Sequence, residues 1–226
     1  MILLERTDIL DKATEFRKYL LTLDIPDLEM WSRKCNVYIF SGIIRDFFLG
    51  NTRKIRDVDI VLDCDNLVDV INIESIKYNR FGGLKLNNNN NISVDVWLLK
   101  DTWGIKRKKI KATPESLLET AFYNFSTIVY NYNTNTFLFK DDFLSFINNN
   151  LLDCVYEENP SPGLCIINTM YYQDKFKLKI SDNLRAWILS HSKMSTIDYV
   201  EIQRSHFGRV IFTEQCINSF INKLRL

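Results

Sequence analysis

The sequence contains only two histidines, and neither belongs to a serine or cysteine nucleophile pattern. A hydrolase of the Ser-His-Asp kind therefore has no support. The five cysteines are an odd number, are widely spaced and include no Cys-x-x-Cys pair. They predict neither a disulfide framework nor a structural zinc site, and we expect most of them to be small buried side chains.

The sequence also lacks an excess of either charge and a long apolar run. With 29 Lys and Arg against 28 Asp and Glu, its formal net charge is +1. This near-neutral charge argues against electrostatic binding of nucleic acid over the whole protein surface. The clearest local patch, Lys106-Arg107-Lys108-Lys109, is interpreted as a solvated segment or, alternatively, as an acceptor-binding surface. No secretory signal opens the chain and no apolar run approaches membrane-spanning length, so we expect a cytoplasmic protein without a membrane partner.

Over its 226 residues the chain is 46% hydrophobic and 25% charged, which is ordinary for a globular protein with a sizeable core. The pattern changes at Pro160-Ser161-Pro162, after which helical segments follow one another. We therefore predict two domains, one at residues 1–159 and a smaller helical one at residues 160–226.

Residues 37–63 predict a strand, a turn, a helix and a second strand. Val37–Phe40 is a short apolar run, and Ser41-Gly42 forms a turn narrow enough for backbone N–H groups to approach an anion. Apolar residues then recur at helical spacing, and Gly50 is placed to end the helix. The recurring residues are Ile43, Ile44, Phe47 and Phe48.

Asp57 and Asp59 follow, two residues apart in a β-branched run. Alternation along a strand puts both carboxylates on one face, while Val58, Ile60 and Leu62 point into the core. Two neighbouring carboxylates repel each other, and a divalent cation between them removes that cost. The pair therefore predicts a metal-binding strand.

A β-hairpin is predicted within residues 75–99, with Asn87–Asn91 as its polar tip. Its second arm contains Asp95. Trp97 shares the parity of Asp95, so we expect it on the same face of that strand. The alternating apolar residues of the two arms are Leu84, Leu86, Ile92, Val94 and Val96.

These motifs resemble the head domain of the tRNA nucleotidyltransferase and poly(A) polymerase family, within the DNA polymerase beta-like nucleotidyltransferase superfamily. The family pattern is two small residues, two apolar residues, Arg-Asp, an apolar stretch ending in Leu-Gly, a basic linker and Asp-x-Asp. In this chain it reads SGIIRD at residues 41–46, FFLG at residues 47–50 and DVD at residues 57–59. The first small residue is usually Gly in the family, whereas this chain has Ser41. Other branches of the superfamily use a Gly-Ser pair for the same phosphate contact, so the difference changes little.

The resemblance implies an α+β fold, in which a nucleotidyltransferase head with a mixed β-sheet packed with helices precedes a smaller helical neck-like region. The order of later segments also follows the family, but its arginines are missing. Thr120-Ala121-Phe122 stands where the family has Arg-Arg-Asp, and Ile167–Tyr171 stands where its neck helix reads the base. The family's nucleobase choice is therefore not implied for this chain.

The resemblance also implies transfer of a nucleoside monophosphate from an NTP to a hydroxyl, with release of pyrophosphate. Two Mg²⁺ ions about 3.5–4 Å apart would assist, with Mn²⁺ as the alternative. Asp59 and Asp95 would activate the acceptor hydroxyl through the first ion, and Asp57 and Asp59 would hold the second.

Four further residues are predicted to bind the nucleotide. Ser41 and Gly42 would contact phosphate oxygens, and Arg56 belongs to a basic linker that either contacts the triphosphate or is solvated. Arg45 would offset charge in the site or pair with Asp46 on the helix surface.

The acceptor stays open in the sequence. An RNA 3′ end such as that of tRNA is favoured by the detailed match to the head motifs, whereas a small molecule or a protein is favoured by the near-neutral charge and the missing arginines. A non-catalytic nucleotide-binding module of a toxin–antitoxin or defence pair is the remaining alternative.

Overall fold

A computed structural model describes residues 3–25, 27–52, 55, 57–71, 77–78, 83–87, 92–192 and 198–226. The chain forms two compact units. Unit 1 comprises Met1–Ala121 and Phe125–Asn148, and unit 2 comprises Phe122–Asn124 and Asn149–Leu226. The predicted domain division between residues 159 and 160 stays a prediction.

Unit 1 is built on a mixed sheet that contains seven strands among the described residues. The strands are β1 Asn36–Phe40, β2 Asp57–Asp63, β3 Lys77–Tyr78, β4 Leu84–Asn87, β5 Ser93–Leu98, β6 Ile128–Asn131 and β7 Thr136–Phe139. Their order across the sheet is β3-β4-β5-β2-β1-β6-β7. Neighbours pair antiparallel except β2 and β5, which are parallel.

Helices cover this sheet, so the predicted α+β class is confirmed. The first seven helices are α1 Arg6–Asp11, α2 Ala13–Thr22, α3 Leu28–Ser32, α4 Gly42–Phe48, α5 Trp103–Lys108, α6 Pro114–Glu119 and α7 Asp141–Asn149. Unit 2 contains α8 Pro162–Phe176, α9 Asp182–His191, α10 Tyr199–Phe207, α11 Glu214–Lys223 and a parallel pair of short strands, β8 Leu151–Leu152 and β9 Lys179–Ile180. None of the helices in the described part of the chain has the length and apolar character needed to cross a bilayer.

The two faces of the β2 strand differ, as the alternation predicts. Val58, Ile60 and Leu62 are fully buried on what we call the core face. Asp57 and Asp59 lie on the other side, the acid face, and both are partly exposed. The strand therefore anchors itself through one face and presents its carboxylates from the other.

Helices α5 and α6 cover part of the acid face. Tyr38, Val61 and Val129 of the sheet pack against Ile105 of α5 and Leu117 of α6 in one hydrophobic cluster. Because Val61 lies two residues beyond Asp59 on the same face of β2, this cluster closes the acid face immediately next to the carboxylates. The acids therefore lie at the edge of a packed region.

Two segments depart from regular helix. Helices α1 and α2 are separated at Lys12, where a ψ of −9° tightens the turn between them. The segment after β2 is a short 3₁₀ turn, Leu67–Asp69. Its cap is Asn66, whose side chain accepts a hydrogen bond from the Val68 N–H at 3.3 Å.

Candidate active site

The parallel pairing of β2 and β5 brings the three predicted acids together. Asp59 is in register with Asp95, and Asp57 is in register with Ser93. Neighbouring strands lie about 4.8 Å apart, and Asp57 and Asp59 share one face of β2. The acid face therefore carries three carboxylate residues at adjacent positions on two strands.

The structure also tests whether these residues fit a metal ion. In the described part of the chain, no three His, Cys, Asp or Glu side chains are gathered closely enough to hold a metal by themselves. Mg²⁺ usually needs no such cage, because it binds through one or two carboxylates together with substrate phosphates and water. Asp59 and Asp95 supply carboxylates of this kind from adjacent strands. The donor set therefore fits a Mg²⁺ ion that is completed by a triphosphate, and does not form a preformed protein cage.

Ser93 adds a feature that the sequence did not reveal. Its Oγ atom is buried and has no hydrogen-bond partner among the described residues. An unsatisfied buried hydroxyl costs roughly 1–3 kcal/mol, which a bound polar group would recover. Because Ser93 lies opposite Asp57, its hydroxyl belongs to the same stretch of the acid face as the carboxylates.

Lys85 is a second residue that we did not predict for the site. It is in register with Asp95 on the far side of β5 and is exposed. The row across the sheet therefore reads Lys85, Asp95, Asp59 and Phe40. The alternation of Lys85 with the buried Leu84 in the hairpin sequence indicates that Lys85 is on the exposed face of β4. That Lys85 lies opposite Asp95 depends on the strand register, which the sequence does not give.

Trp97 lies on the acid face, where its parity placed it. Its Nε1–H donates a hydrogen bond to Thr102 Oγ1 at 2.9 Å, and its ring packs on the hydrophobic cluster beneath α5 and α6. The indole therefore helps to close the covered part of the acid face.

The predicted small-residue turn follows β1 directly. Phe40, the last residue of β1, is in register with Asp59, so the Ser41-Gly42 turn begins one residue beyond the position opposite Asp59. Ser41 has φ 59° and ψ −115°, a backbone conformation that costs a non-glycine residue about 1–3 kcal/mol. Its Oγ atom lies 2.8 Å from Ser126 Oγ, within hydrogen-bonding distance. A strained residue held by a side-chain contact is thus the N-cap residue of α4.

Substitutions at Ser41 should separate this strain from the hydrogen bond. Ser41→Ala loses the contact with Ser126 and keeps the unfavourable φ, so we expect the free energy of unfolding to fall by about 1 kcal/mol. Ser41→Gly loses the same contact but relieves the backbone, and should be more stable than Ser41→Ala by about 1 kcal/mol. Urea unfolding of the two variants measures the difference, and equal stabilities would contradict the strained turn.

Arg45 forms the predicted pair with Asp46, but not on the helix surface, and its predicted role in the nucleotide site stays a prediction. It forms an ion pair with Asp46, with Nη2 at 2.6 Å and Nε at 2.7 Å from Asp46 Oδ1, but both residues are only 6% exposed. Its guanidinium also lies over the Phe125 ring, 4.8 Å from the centroid. The pair is therefore buried and not on the helix surface. Arg45 packs α4 against Phe125 in the protein interior.

Asp46 has further partners that hold this pair in place. The Asn51 backbone N–H donates to the Asp46 carbonyl at 2.7 Å, and the Asn51 side chain donates to Asp46 Oδ2 at 3.2 Å. Burial and the negative charge of Asp46 raise the pKa of Tyr19 to about 12. The carboxylate thus links α4 to the chain beyond Gly50.

The remaining predicted residues give a mixed picture. Arg56 lies outside the described residues, so its predicted nucleotide contact stays a prediction.

In the basic patch, Lys106 pairs with Asp101 at 2.6 Å and Lys108 pairs with Glu119 at 3.5 Å. At least Lys106 and Lys108 are thus paired with neighbouring acids, which favours the solvated interpretation.

Comparison with known proteins identifies the fold. No protein-family model matches the sequence, and no curated protein matches it by sequence. Solved structures do match. A CCA-adding enzyme in complex with CTP superposes with a TM-score of 0.67 and 12% identity, covering 100% of this chain and 56% of that one.

Two further structures agree. A Thermotoga maritima CCA-adding enzyme complexed with tRNA gives a TM-score of 0.63 at 12% identity, covering 92% of this chain and 53% of that one. A tRNA-processing enzyme with CTP gives 0.61 at 14% identity, covering 85% and 54%. This chain thus spans little more than half the length of these proteins. The predicted resemblance is confirmed at the level of the fold: the chain has the nucleotidyltransferase head-type fold of the CCA-adding enzymes.

Proposed function

We propose that this protein is a metal-dependent nucleotidyltransferase that moves a nucleoside monophosphate from an NTP to a hydroxyl at an RNA 3′ end and releases pyrophosphate. The observation that carries this proposal is the register of β2 and β5, which places Asp57, Asp59 and Asp95 side by side on the acid face. The fold supports it, because structures of the same fold hold CTP, ATP or tRNA. The proposed location is the cytoplasm.

The residues of the acid face have distinct roles in this proposal. Mg²⁺, or Mn²⁺ as the alternative, supplies charge neutralisation of the triphosphate and activation of the acceptor hydroxyl when it is bound. Asp59 and Asp95 orient the acceptor hydroxyl for attack on the α-phosphorus. Asp57 and Asp59 would hold the ion that neutralises the triphosphate and the leaving pyrophosphate. Three acids would repel an anionic substrate by themselves, which explains the need for a cation.

Neighbouring groups complete the site. Ser41 and Gly42 would contact phosphate oxygens from the turn after β1, and the Ser93 hydroxyl would donate to an oxygen near Asp57. The Lys85 ammonium would offset charge beside Asp95. Arg45 acts as a positioning residue, since its buried ion pair holds the helix that begins at this turn.

The proposal is tested by following label from each of the four NTPs, labelled at the α-phosphate, in the presence of Mg²⁺. Pooled tRNA, total protein and a small-molecule extract serve as separate acceptors. We expect label at the RNA 3′ end from at least one NTP. Label on protein or on a small molecule would instead assign those acceptors, and no transfer from any NTP by the folded protein would contradict an enzymatic function and favour a non-catalytic nucleotide-binding module.

A further inference from the structure

Two cysteines lie just beyond the paired ends of β1 and β2. The antiparallel register pairs Asn36 with Asp63, and Cys35 and Cys64 are the next residues outward on the two strands. Neither is in a disulfide, both are partly buried, and they lie close enough for each thiol to affect the pKa of the other. The Cys35 thiol donates to the Trp31 carbonyl and the Cys64 thiol to the Asn66 carbonyl, each at 3.6 Å. Opposed residues of an antiparallel pair have Cα atoms about 4.5–5.5 Å apart, which lies within the range that a disulfide spans.

We propose that Cys35 and Cys64 form a reversible disulfide, so that this pair is a redox modification site of the protein. The cross-link would join the start of β1 to the chain just after β2. The loop that it closes contains the Ser41-Gly42 turn as well as Asp57 and Asp59, and therefore most of the candidate active site. The proposal does not depend on the proposed nucleotidyl transfer.

The oxidant in this proposal is a small-molecule disulfide. One protein thiolate attacks a sulfur of that reagent, forms a mixed disulfide and expels one reagent thiolate. The second protein thiolate then attacks the protein sulfur of the mixed disulfide and expels the other reagent thiolate. Both protein thiols are oxidised, their two protons are taken up by the released thiolates, and the reagent is reduced to two thiols.

The surroundings make this reaction slow at neutral pH. Burial, together with the Cys64 thiol, raises the pKa of Cys35 to about 12, and burial raises the pKa of Cys64. The charge of Asp63 acts in the same direction on both, whereas Lys34 beside Cys35 and Lys100 beside Cys64 act against it. Since only the thiolate reacts, we expect faster oxidation at pH 9 than at pH 7.

The test incubates the full chain overnight at pH 8 with excess oxidised glutathione and then maps its peptides by mass spectrometry. In most molecules we expect a Cys35–Cys64 linked peptide, an intact mass lower by two hydrogen atoms, and a melting temperature higher by roughly 5 °C, all reversed by reductant. Cys216→Ser, which removes an exposed cysteine, is the matched control and should form the same link.

Cys64→Ser should lose the link and gain a mixed disulfide at Cys35. The proposal is overturned if the wild-type chain keeps both thiols reduced, if it gains only mixed disulfides, or if its cross-links join two chains through Cys216.

Discussion

Asp59→Asn is expected to lower the rate of nucleotidyl transfer by on the order of 1,000-fold while the fold is retained. Asp59 neighbours both other acids, since it is in register with Asp95 and shares a strand face with Asp57. The substitution keeps the shape of the side chain and removes the charge that a cation needs. Initial rates with the active NTP, saturating Mg²⁺ and acceptor measure the effect.

The matched control is Asp63→Asn. Asp63 lies on the same strand and at the same parity, but it is exposed and in register with Asn36. Its variant should transfer at close to the wild-type rate. If Asp59→Asn and Asp57→Asn both keep their rates, the metal-binding role of the acid face is wrong. If Asp95→Asn alone keeps its rate, the third carboxylate has been misassigned.

The melting temperatures of these variants should not fall with their transfer rates. Without metal, neutralising one of three neighbouring acids relieves repulsion, so the melting temperature of Asp59→Asn is expected to equal or exceed that of the wild type. A purely structural acid would instead leave a partner unsatisfied and cost stability.

Asp46→Asn is expected to lower the free energy of unfolding by about 3–5 kcal/mol. Asp46 is the buried counter-ion of Arg45. Removing its charge takes away the carboxylate that the buried guanidinium contacts at 2.6 Å, and the asparagine amide replaces an oxygen that accepts hydrogen bonds with an NH2 donor. Urea unfolding monitored by circular dichroism measures the loss.

Two further variants control this result. Asp101→Asn removes the partner of Lys106 from an ion pair that is well exposed, and should cost less than about 1 kcal/mol. The double variant Arg45→Met with Asp46→Leu removes both buried charges, and should recover most of the loss caused by Asp46→Asn. A loss below about 1 kcal/mol in Asp46→Asn would contradict the buried, charge-compensated pair.

Local patterns predicted the segment of residues 37–63 well because strand alternation and helical spacing are properties of neighbouring residues. The strand, turn and helix over residues 37–50 are found in place, and Asp57 and Asp59 share a face. The sequence does not predict the β7 strand at Thr136–Phe139, because four residues carry too little periodicity to distinguish a strand from a loop.

Features that need distant parts of the chain could not be predicted. The register of Asp59 with Asp95 joins two residues that are 36 positions apart in the sequence, so that only the family resemblance indicated it. The burial of Arg45 depends on Phe125, which comes from beyond α6. The orphaned hydroxyl of Ser93 is likewise a property of packing, since a serine in a strand pattern gives no sign of lacking a partner.

The central claim is that the acid face binds an NTP together with a divalent cation, and thermal unfolding with ligand tests it most directly. With Mg²⁺ and NTP at about 100 times the dissociation constant, the melting temperature of the wild type should rise by roughly 5–10 °C, whereas Mg²⁺ with the corresponding nucleoside should leave it unchanged. In Asp59→Asn the rise with Mg²⁺ and NTP should disappear, and in Asp63→Asn it should persist. An equal rise with the nucleoside, or a full rise in Asp59→Asn, would contradict binding of the metal and triphosphate at Asp57, Asp59 and Asp95.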